Sequence, residues 1–311
     1  MTRSLVLAAA QLGPIQKSEG RDVAVGRMIR LMEKAHQRGA QVVVFPELAL
    51  TTFFPRWYLE DEAELDAFYE DAMPGPDTQR LFDTAARLHI GFTLGYAERV
   101  AQDGRVRRFN TAITVDGNGR IVGKYRKIHL PGHAEHEPWR AFQHLEKRYF
   151  EVGDLGFNAF RAFNGILGMA ICNDRRWPET YRCLGLQGVE MVLIGYNTPV
   201  HNPPAPEHDA LSHFHNALVM QSGAYQNGTW VVGVAKAGLE EGVMQIGNSI
   251  IVAPSGEVVA ACTTVGDELA VARCDLDLTH SYKSTTFNFA RHREPQHYGL
   301  IVERKGAVPP P

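Results

Sequence analysis

GMAICNDRRWPETYRC, residues 168–183, contains the transition that decides the fold. An apolar segment ends at Cys172, a polar stretch with two arginines follows, and Pro178 and Glu179 come next. Proline near the first helical position and an acid in the first turn are typical of a helix start. The stretch therefore predicts a strand, a short polar turn and a helix.

The same alternation of β-branched and amphipathic runs continues along the chain. The predicted strands cover residues 5–12, 42–47, 90–99, 110–116, 121–130, 162–172, 189–197, 230–235, 249–253 and 268–275. The predicted helices cover residues 22–38, 61–72, 77–89, a segment that begins at Pro178, and 210–226. NTAITVDGNGRIVGKYRK and NSIIVAPSGEVVAACTT share a strand–turn–strand pattern, and QVVVFPEL and VEMVLIGYN occupy similar places in two halves. This internal repeat predicts a duplicated plan of two packed sheets with helices outside.

Composition excludes several classes of partner. The 311 residues carry a formal net charge of −3, so no basic excess favours nucleic acid or an anionic membrane surface. Apolar runs such as LVLAAA are far too short to span a bilayer, and the N-terminal run is better interpreted as a first strand than as a signal peptide. The four cysteines lack a CxxC pair and are too few for a disulfide scaffold, which predicts a reduced, cytoplasmic protein.

Cys172 is the candidate nucleophile. A cysteine in an apolar run is usually a packing residue. Here it ends the run, where strand ends present side chains to a crevice, and two arginines and a helix N-terminus beside it favour the reactive thiolate. Cys183, Cys262 and Cys274 lack this setting and are interpreted as structural.

A thiol nucleophile needs a proton acceptor and a group that holds the developing oxyanion. Glu47 ends the aliphatic run QVVVFPE, where partial burial would raise its pKa towards that of a base; an exposed acid without a role is the equal alternative. Lys127 lies in VGKYRKIHLPG, where strand alternation puts it on one face with Tyr125 and His129. A solvated lysine is the ordinary interpretation, whereas a buried one would offer a point charge to a carbonyl oxygen.

FPEL, GKYRKIHL and ICNDRRWPE, in this order and spacing, resemble the glutamate, lysine and cysteine signatures of the nitrilase superfamily. PELALTTFFPRW, FQHLEKRYFEVGDLGF, GYNTPVHNPP and HREPQHYGLI narrow the resemblance to its N-carbamoyl-D-amino-acid amidohydrolases. The resemblance implies a mixed α/β (α+β) fold, a four-layer α-β-β-α sandwich, with residues 1–311 as a single carbon-nitrogen hydrolase domain. It also implies a homo-oligomer, a dimer or tetramer, with the C-terminal extension from about 280 to 311 in the interface.

The same resemblance implies the chemistry. Cys172 attacks, Glu47 acts as general base and acid, and Lys127 stabilises the oxyanion. Glu146 is the second glutamate of the site, and the backbone N–H of Asn173 is a further oxyanion donor. The implied reaction hydrolyses N-carbamoyl-D-amino acids to D-amino acid, ammonia and carbon dioxide through a carbamoyl thioester, without metal or cofactor. A β-ureidopropionase-like or general aliphatic amidase activity is the alternative.

Arg175 and Arg176 concern substrate recognition. Salt bridges to Asp174 or Glu179 are the plain interpretation. The functional interpretation is a paired guanidinium clamp for the substrate's α-carboxylate, each charge-assisted bond contributing about 1.5–3 kcal/mol. The resemblance supports the clamp, and it places Asn197, Thr198 and His144 in the same pocket.

Two histidine-rich stretches, residues 129–144 and 201–215, leave a metal-dependent amidohydrolase open. Neither contains an HExxH motif, and scattered loop histidines are more often polar surface. A non-catalytic binding subunit is a further alternative. Such a subunit would be expected to lack the glutamate, the lysine or the cysteine, and all three are present.

Overall fold

The first strand lies between two apolar layers. Strand β1 spans Ser4–Gln11 in the computed structural model, which describes residues 3–310. Leu5 and Leu7 belong to the core between two sheets, whereas Ala8 and Ala10 pack towards helices. Burial on both faces explains why LVLAAA is continuously apolar instead of alternating.

The other elements follow in chain order. The strands are β2 Val42–Val44, β3 Gly91–Gln102, β4 Arg105–Val115, β5 Ile121–Arg126, β6 Phe160–Ala162, β7 Gly165–Ile171, β8 Met191–Tyr196, β9 Trp230–Ala235, β10 Ala237–Glu240, β11 Val243–Ile246, β12 Ile250–Val252, β13 Val258–Ala261 and β14 Glu268–Asp275. The helices are α1 Arg21–Gln37, α2 Glu62–Asp66, α3 Gln79–Leu88, α4 Glu146–Tyr149, α5 Pro178–Gly185, α6 Ser212–Asn227, α7 Leu278–Ser284, α8 Phe289–His292 and α9 Gly299–Glu303. Short 3-10 turns occupy Phe54–Arg56, Cys172–Arg176, Pro206–Leu211 and Pro295–His297.

Two six-stranded sheets within residues 3–310 share one plan. Their strand orders are β14-β1-β2-β3-β4-β5 and β6-β7-β8-β9-β12-β13. In each sheet the second, third and fourth strands are parallel, and the remaining pairs are antiparallel. The hairpins β4–β5 and β12–β13 occupy equivalent ends, and each has a register shift. The internal repeat predicted from the sequence is therefore present in the strand order.

Helices cover the outer face of each sheet. Helices α1 and α3 pack on the first sheet, where Met28 and Leu81 share a core with Val43. Helices α5 and α6 cover the second sheet through Leu184 and Met220. The predicted fold class, a mixed α/β fold with an α-β-β-α arrangement, is confirmed.

Two of the predicted elements that differ in extent from the structure are the strand 162–172 and the helix 61–72. The predicted strand 162–172 is the hairpin β6–β7, because Phe163 and Asn164 take left-handed φ values of 50° and 61° and reverse the chain. The predicted helix 61–72 contains only α2, because Glu70 leaves it to donate its backbone N–H to Ala97 at 2.8 Å. Pairing with strand β3 replaces helical hydrogen bonds there.

The C-terminal segment ends in exposed apolar side chains. Leu300, Ile301 and Val302 are 57%, 58% and 87% exposed in the single chain. The interface role of residues 280–311 and the single-domain assignment remain predictions, and residues 1–2 and 311 lie outside the described range. No helix between residues 3 and 310 is long and apolar enough to cross a membrane.

Candidate active site

Glu47 lies between the two sheets because two glycines make room for its backbone. The predicted strand 42–47 ends at Val44, after which the chain crosses towards the second sheet. A Cβ on Gly95 of β3 would lie 2.7 Å from Glu47 Cα, and one on Gly195 of β8 would lie 2.5 Å from Glu47 N. Only glycine allows this approach, which leaves the Glu47 side chain 0% exposed.

Three donors hold the Glu47 carboxylate. Oε1 accepts hydrogen bonds from Lys127 Nζ at 2.7 Å and Asn110 Nδ2 at 2.8 Å, and Oε2 accepts from the Asn197 backbone N–H at 2.9 Å. Burial raises the pKa of Glu47 above its ordinary value, Lys127 opposes this shift, and the charge of Glu146 adds to it. A carboxyl group with a raised pKa suits proton transfer near neutral pH.

Lys127 is buried between two carboxylates. Its Nζ donates to Glu47 Oε1 at 2.7 Å and to Glu146 Oε2 at 2.6 Å, and the residue is 1% exposed. Burial alone would lower the pKa of Lys127, but the two carboxylates outweigh it and raise the pKa, so the ammonium stays charged. Strand β5 ends at Arg126, so the predicted strand 121–130 is too long and the predicted alternation does not extend to Lys127.

Glu146 begins helix α4 and is completely buried. Its Oε2 accepts from Lys127, and its Oε1 lies 3.2 Å from His144 Nε2. Burial favours a raised pKa, but the charge of Lys127 and the hydrogen bond from His144 outweigh it, and the pKa of Glu146 is lowered. The two adjacent carboxyl groups have opposite pKa shifts, a pattern that suits one group to proton exchange and the other to a fixed negative charge.

Cys172 follows strand β7 in a strained turn. Its φ of 47° lies in the left-handed region, which costs on the order of 1–3 kcal/mol for a residue other than glycine. The residue is 5% exposed, and Sγ donates to the Asn197 carbonyl oxygen at 3.2 Å. Burial, then the charge of Glu47, raise the pKa of Cys172 against the opposing charges of Lys127 and Arg175. Desolvation thus outweighs the nearby cations, which the sequence analysis expected to favour the thiolate.

Arg175 lies behind the cavity and not in its wall. Its Nη1 donates to the Cys172 carbonyl at 2.7 Å, Nη2 to Thr198 Oγ1 at 2.9 Å and Nε to Asn216 Oδ1 at 3.0 Å. The guanidinium also stacks 4.1 Å above the Tyr196 ring, and the residue is 1% exposed. The predicted paired clamp is corrected accordingly, because all three nitrogens of Arg175 already have protein partners.

Arg176 faces the cavity. The charge of Arg175, followed by burial, lowers the pKa of Arg176 to about 10, so it is protonated at neutral pH. Among residues 3–310 no carboxylate lies within salt-bridge distance of Arg176, and Asp174 instead accepts from Tyr125 and from the His129 and Ile171 backbones. The arginines therefore do not form the salt bridges of the plain interpretation.

A cavity of about 440 Å³ opens above Cys172. Its walls come from three chain segments: Pro131, Gly132, His133, Arg140, Phe142 and His144; Cys172, Asn173 and Arg176; and Asn197 to Pro204 with His208, Ser212 and His215. The predicted pocket residues Asn173, Asn197, Thr198 and His144 are all among them. The lining, taken over the described residues, contains no Asp or Glu.

The histidine-rich stretches supply part of this wall. His133, His144, His201, His208 and His215 line the cavity. Within the described part of the chain, no group of three or more His, Cys, Asp or Glu side chains is arranged to hold a metal ion.

Asn110 is the site residue that the sequence analysis missed. It lies on β4, is 1% exposed, and donates from Nδ2 to Glu47 at 2.8 Å and to Glu146 at 3.4 Å. The available signal was an amide in a strand segment, FNTAITV, whose other residues are apolar or threonine. A buried polar side chain needs partners, and here the partners are the two carboxylates.

The cavity wall contains the thiol, and the Asn197 backbone links this thiol to the buried carboxyl group of Glu47, which is paired with the Lys127 ammonium. A thiol, a carboxyl group with a raised pKa and a fixed ammonium are the components of a thiol-dependent hydrolase. The model of the carbon-nitrogen hydrolase family matches residues 6–284, and the chain belongs to this family. It is an enzyme of the class that hydrolyses non-peptide carbon–nitrogen bonds.

Individual relatives agree with this assignment. The chain is 30% identical over 292 residues to the N-carbamoylputrescine amidase of Solanum lycopersicum, covering 90% of each chain. It is 27% identical over 276 residues to a citrullinase of Francisella tularensis, covering 87% of this chain and 90% of the relative. The crystal structure of a carbon-nitrogen hydrolase from Helicobacter pylori has the same fold, with a TM-score of 0.82, 22% identity and coverage of 97% and 99%.

Proposed function

We propose that this enzyme hydrolyses the ureido group of N-carbamoyl amino acids, with N-carbamoyl-D-amino acids as its preferred substrates. The observation that carries the proposal is the charge of the cavity wall. Arg176 faces the cavity beside Cys172, and the described lining contains no acidic residue. A substrate whose carboxylate lies close to its ureido group fits this charge.

The same wall disfavours a substrate that ends in an ammonium group. N-carbamoylputrescine carries such a group, and Arg176 in the lining would repel it, whereas the charge of Arg140 is paired with Glu137. A charge-assisted bond between Arg176 and a carboxylate contributes about 1.5–3 kcal/mol. The wall thus attracts a carboxylate and repels an ammonium group. This contrast supports N-carbamoyl amino acids over N-carbamoylputrescine, the substrate for which the plant relative is named.

The first half of the reaction transfers the carbamoyl carbon to sulfur. Glu47 takes the proton of Cys172 as Sγ attacks the ureido carbon. Two of the three ammonium protons of Lys127 are donated to carboxylates, which leaves one for the oxyanion together with the Asn173 backbone N–H. Each such donor is worth about 3–4 kcal/mol. A ureido carbonyl is a poor electrophile, so these fixed donors matter more than for an ester.

The second half releases the products. Glu47 returns its proton to the leaving nitrogen as the tetrahedral intermediate collapses to a thioester on Cys172. Glu47 then activates water, which cleaves the thioester and regenerates the thiol. Whichever nitrogen leaves first, the sum is amino acid, ammonia and carbon dioxide.

The D configuration is proposed from the sequence resemblance of stretches such as GYNTPVHNPP and HREPQHYGLI. The second candidate is a β-ureidopropionase-like or general aliphatic amidase activity, which the family membership supports.

An ammonia-release assay tests the proposal. The substrates are N-carbamoyl-D-phenylalanine, its L enantiomer, N-carbamoyl-β-alanine and N-carbamoylputrescine, with Cys172→Ala as the control. We expect the D compound to give the highest kcat/KM and the variant to release none. Preferred turnover of N-carbamoylputrescine would overturn the substrate assignment, and preference for N-carbamoyl-β-alanine would favour the second candidate.

A further inference from the structure

A second buried ion cluster lies outside the catalytic groups. Arg56, Lys236 and Glu240 are at most 3% exposed. Glu240 Oε1 accepts from Arg56 Nη2 at 2.6 Å, and its Oε2 lies 2.9 Å from Lys236 Nζ. Burial favours a raised pKa for Glu240, but Lys236 and Arg56 outweigh it and lower the pKa, so the carboxylate is ionised. None of the three lines the cavity.

One side of this cluster holds the segment that carries His144 and Glu146. The Arg56 backbone carbonyl accepts from the Gln143 N–H at 2.9 Å, and the Pro55 carbonyl accepts from the Leu145 N–H at 2.8 Å. The guanidinium of Arg56 fixes this turn, since Nε donates to the Phe53 carbonyl at 2.9 Å. These bonds position the chain on both sides of His144.

The Phe53 side chain adds a direct contact. Its ring packs edge-on against His144 at 5.4 Å, and its backbone N–H donates to Glu240 Oε1 at 2.8 Å. Glu240 is therefore bonded to the same turn that supports the His144 ring.

The other side of the cluster holds the opposite cavity wall. Lys236 directly precedes strand β10, Glu240 is the last residue of that strand, and β10 pairs with β11. Strand β11 in turn binds the wall: the Ile246 N–H donates to the Thr198 carbonyl at 2.9 Å, and the Val200 N–H donates to the Met244 carbonyl at 2.8 Å. The wall beside Cys172 is thus attached to the cluster through one hairpin.

Stability alone does not explain three buried charges. Replacing a buried ion network by packed apolar residues is often neutral or stabilising, because desolvation offsets the Coulombic attraction. Directional hydrogen bonds do set geometry. The guanidinium of Arg56 donates both to the Glu240 backbone carbonyl at 2.5 Å and to the Glu240 carboxylate, and its planar shape allows both bonds in only one orientation.

We propose that Arg56, Glu240 and Lys236 are positioning residues that set the width of the cavity between the His144 segment and the Thr198–Val200 wall. The cluster thereby determines which substrate side chains are aligned with the thiol. A displacement of about 1 Å at a reacting group can cost on the order of a hundredfold in rate.

The test compares Glu240→Gln and Arg56→Lys with the wild type on two substrates of different size, N-carbamoylglycine and N-carbamoylphenylalanine. Unfolding of part of the sample lowers both rates equally, whereas a changed cavity alters their ratio. We expect kcat/KM to fall about tenfold or more, with the ratio between the substrates changed at least threefold. Glu240→Asp retains the charge, so its ratio of kcat/KM between the two substrates should lie closer to the wild-type ratio than that of Glu240→Gln.

Glu190→Gln is the matched control. Glu190 is a buried carboxylate bonded to Arg3 at 2.6 Å, just before β8 and at the opposite end of that strand from Asn197. The Glu190→Gln variant should lose thermal stability but keep the wild-type ratio of kcat/KM between the two substrates. An unchanged ratio in folded Arg56→Lys and Glu240→Gln would overturn the proposal. If wild-type enzyme turns over neither compound, the proposed function fails, and the same comparison on two amides of different length tests the cluster.

Discussion

Arg175 donates a hydrogen bond from Nη1 to the backbone carbonyl of Cys172 at 2.7 Å. This bond supports the left-handed turn that presents the sulfur, which has a φ of 47°. The two adjacent arginines therefore differ in position: Arg175 supports the turn at Cys172, and Arg176 faces the cavity.

Arg175→Lys should lower kcat with little effect on KM. Lysine keeps the charge but cannot donate to Cys172, Thr198 and Asn216 in the same fork geometry. We expect kcat to fall about tenfold or more while KM changes less than about threefold. Steady-state kinetics on N-carbamoyl-D-phenylalanine measures both, with a thermal melt to establish that the variant is folded. A raised KM with unchanged kcat would return Arg175 to the carboxylate clamp.

Arg176→Gln should have the opposite signature. Loss of one charge-assisted bond to the substrate carboxylate is expected to raise KM about tenfold or more. The control is the carboxamide of the same N-carbamoyl amino acid, which has no carboxylate and should be bound equally by both enzymes. An equal rise in KM for the acid and for the carboxamide would contradict a contact between Arg176 and the substrate carboxylate.

Cys172 should show the alkylation profile of a thiol that is mostly protonated at neutral pH. Burial and the charge of Glu47 raise its pKa, so the rate of reaction with iodoacetamide should be low at neutral pH and rise in the alkaline range. Glu47→Gln removes that negative charge and should shift the alkylation profile to lower pH. The measurements use a Cys183→Ser background, since Cys183 is exposed. A wild-type alkylation rate that stays constant from acid to neutral pH would indicate a resting thiolate.

Asn110→Leu should move the acid limb of the kcat/KM profile to higher pH. Asn110 donates to Glu47 Oε1, and this bond lowers the pKa of a carboxyl group that burial already raises. Without the bond the pKa of Glu47 rises further. Because Glu47 accepts a proton only when ionised, activity should be lost at a higher pH as acid is added. An acid limb at the wild-type pH would show that Glu47 is not the group titrating there.

We propose that residues 280–311 contribute to a homo-oligomer interface. Val302 is 87% exposed, so Val302→Glu costs the folded chain little but would place a charge in an apolar contact. Sedimentation should show a dimer or tetramer for the wild type and a smaller species for the variant. Val106→Glu, at a site that is 55% exposed on the β3–β4 hairpin, is the matched control and should keep the wild-type size. A monomeric wild type would refute the proposal.

Much of the architecture can be predicted from local sequence patterns. Strands β9 and β14 have the predicted bounds, because apolar β-branched runs bounded by polar residues depend on neighbours along the chain. The strand, turn and helix of residues 168–183 follow for the same reason. The predicted strand 162–172 failed at Phe163 and Asn164, since their reversal is a property of two backbone torsions and leaves the apolar pattern intact.

The sequence by itself determined the two-sheet plan, and its resemblance to the nitrilase superfamily singled out Glu47, Lys127 and Cys172 as the candidate catalytic groups. Only the tertiary structure decided which arginine faces the cavity, because the partners of Arg175 are contributed by Thr198 and Asn216 from other elements. It also set the direction in which the pKa of the Cys172 thiol is shifted. The pKa of a buried group reflects desolvation and charges that lie close in space, and these are set by how distant segments pack together.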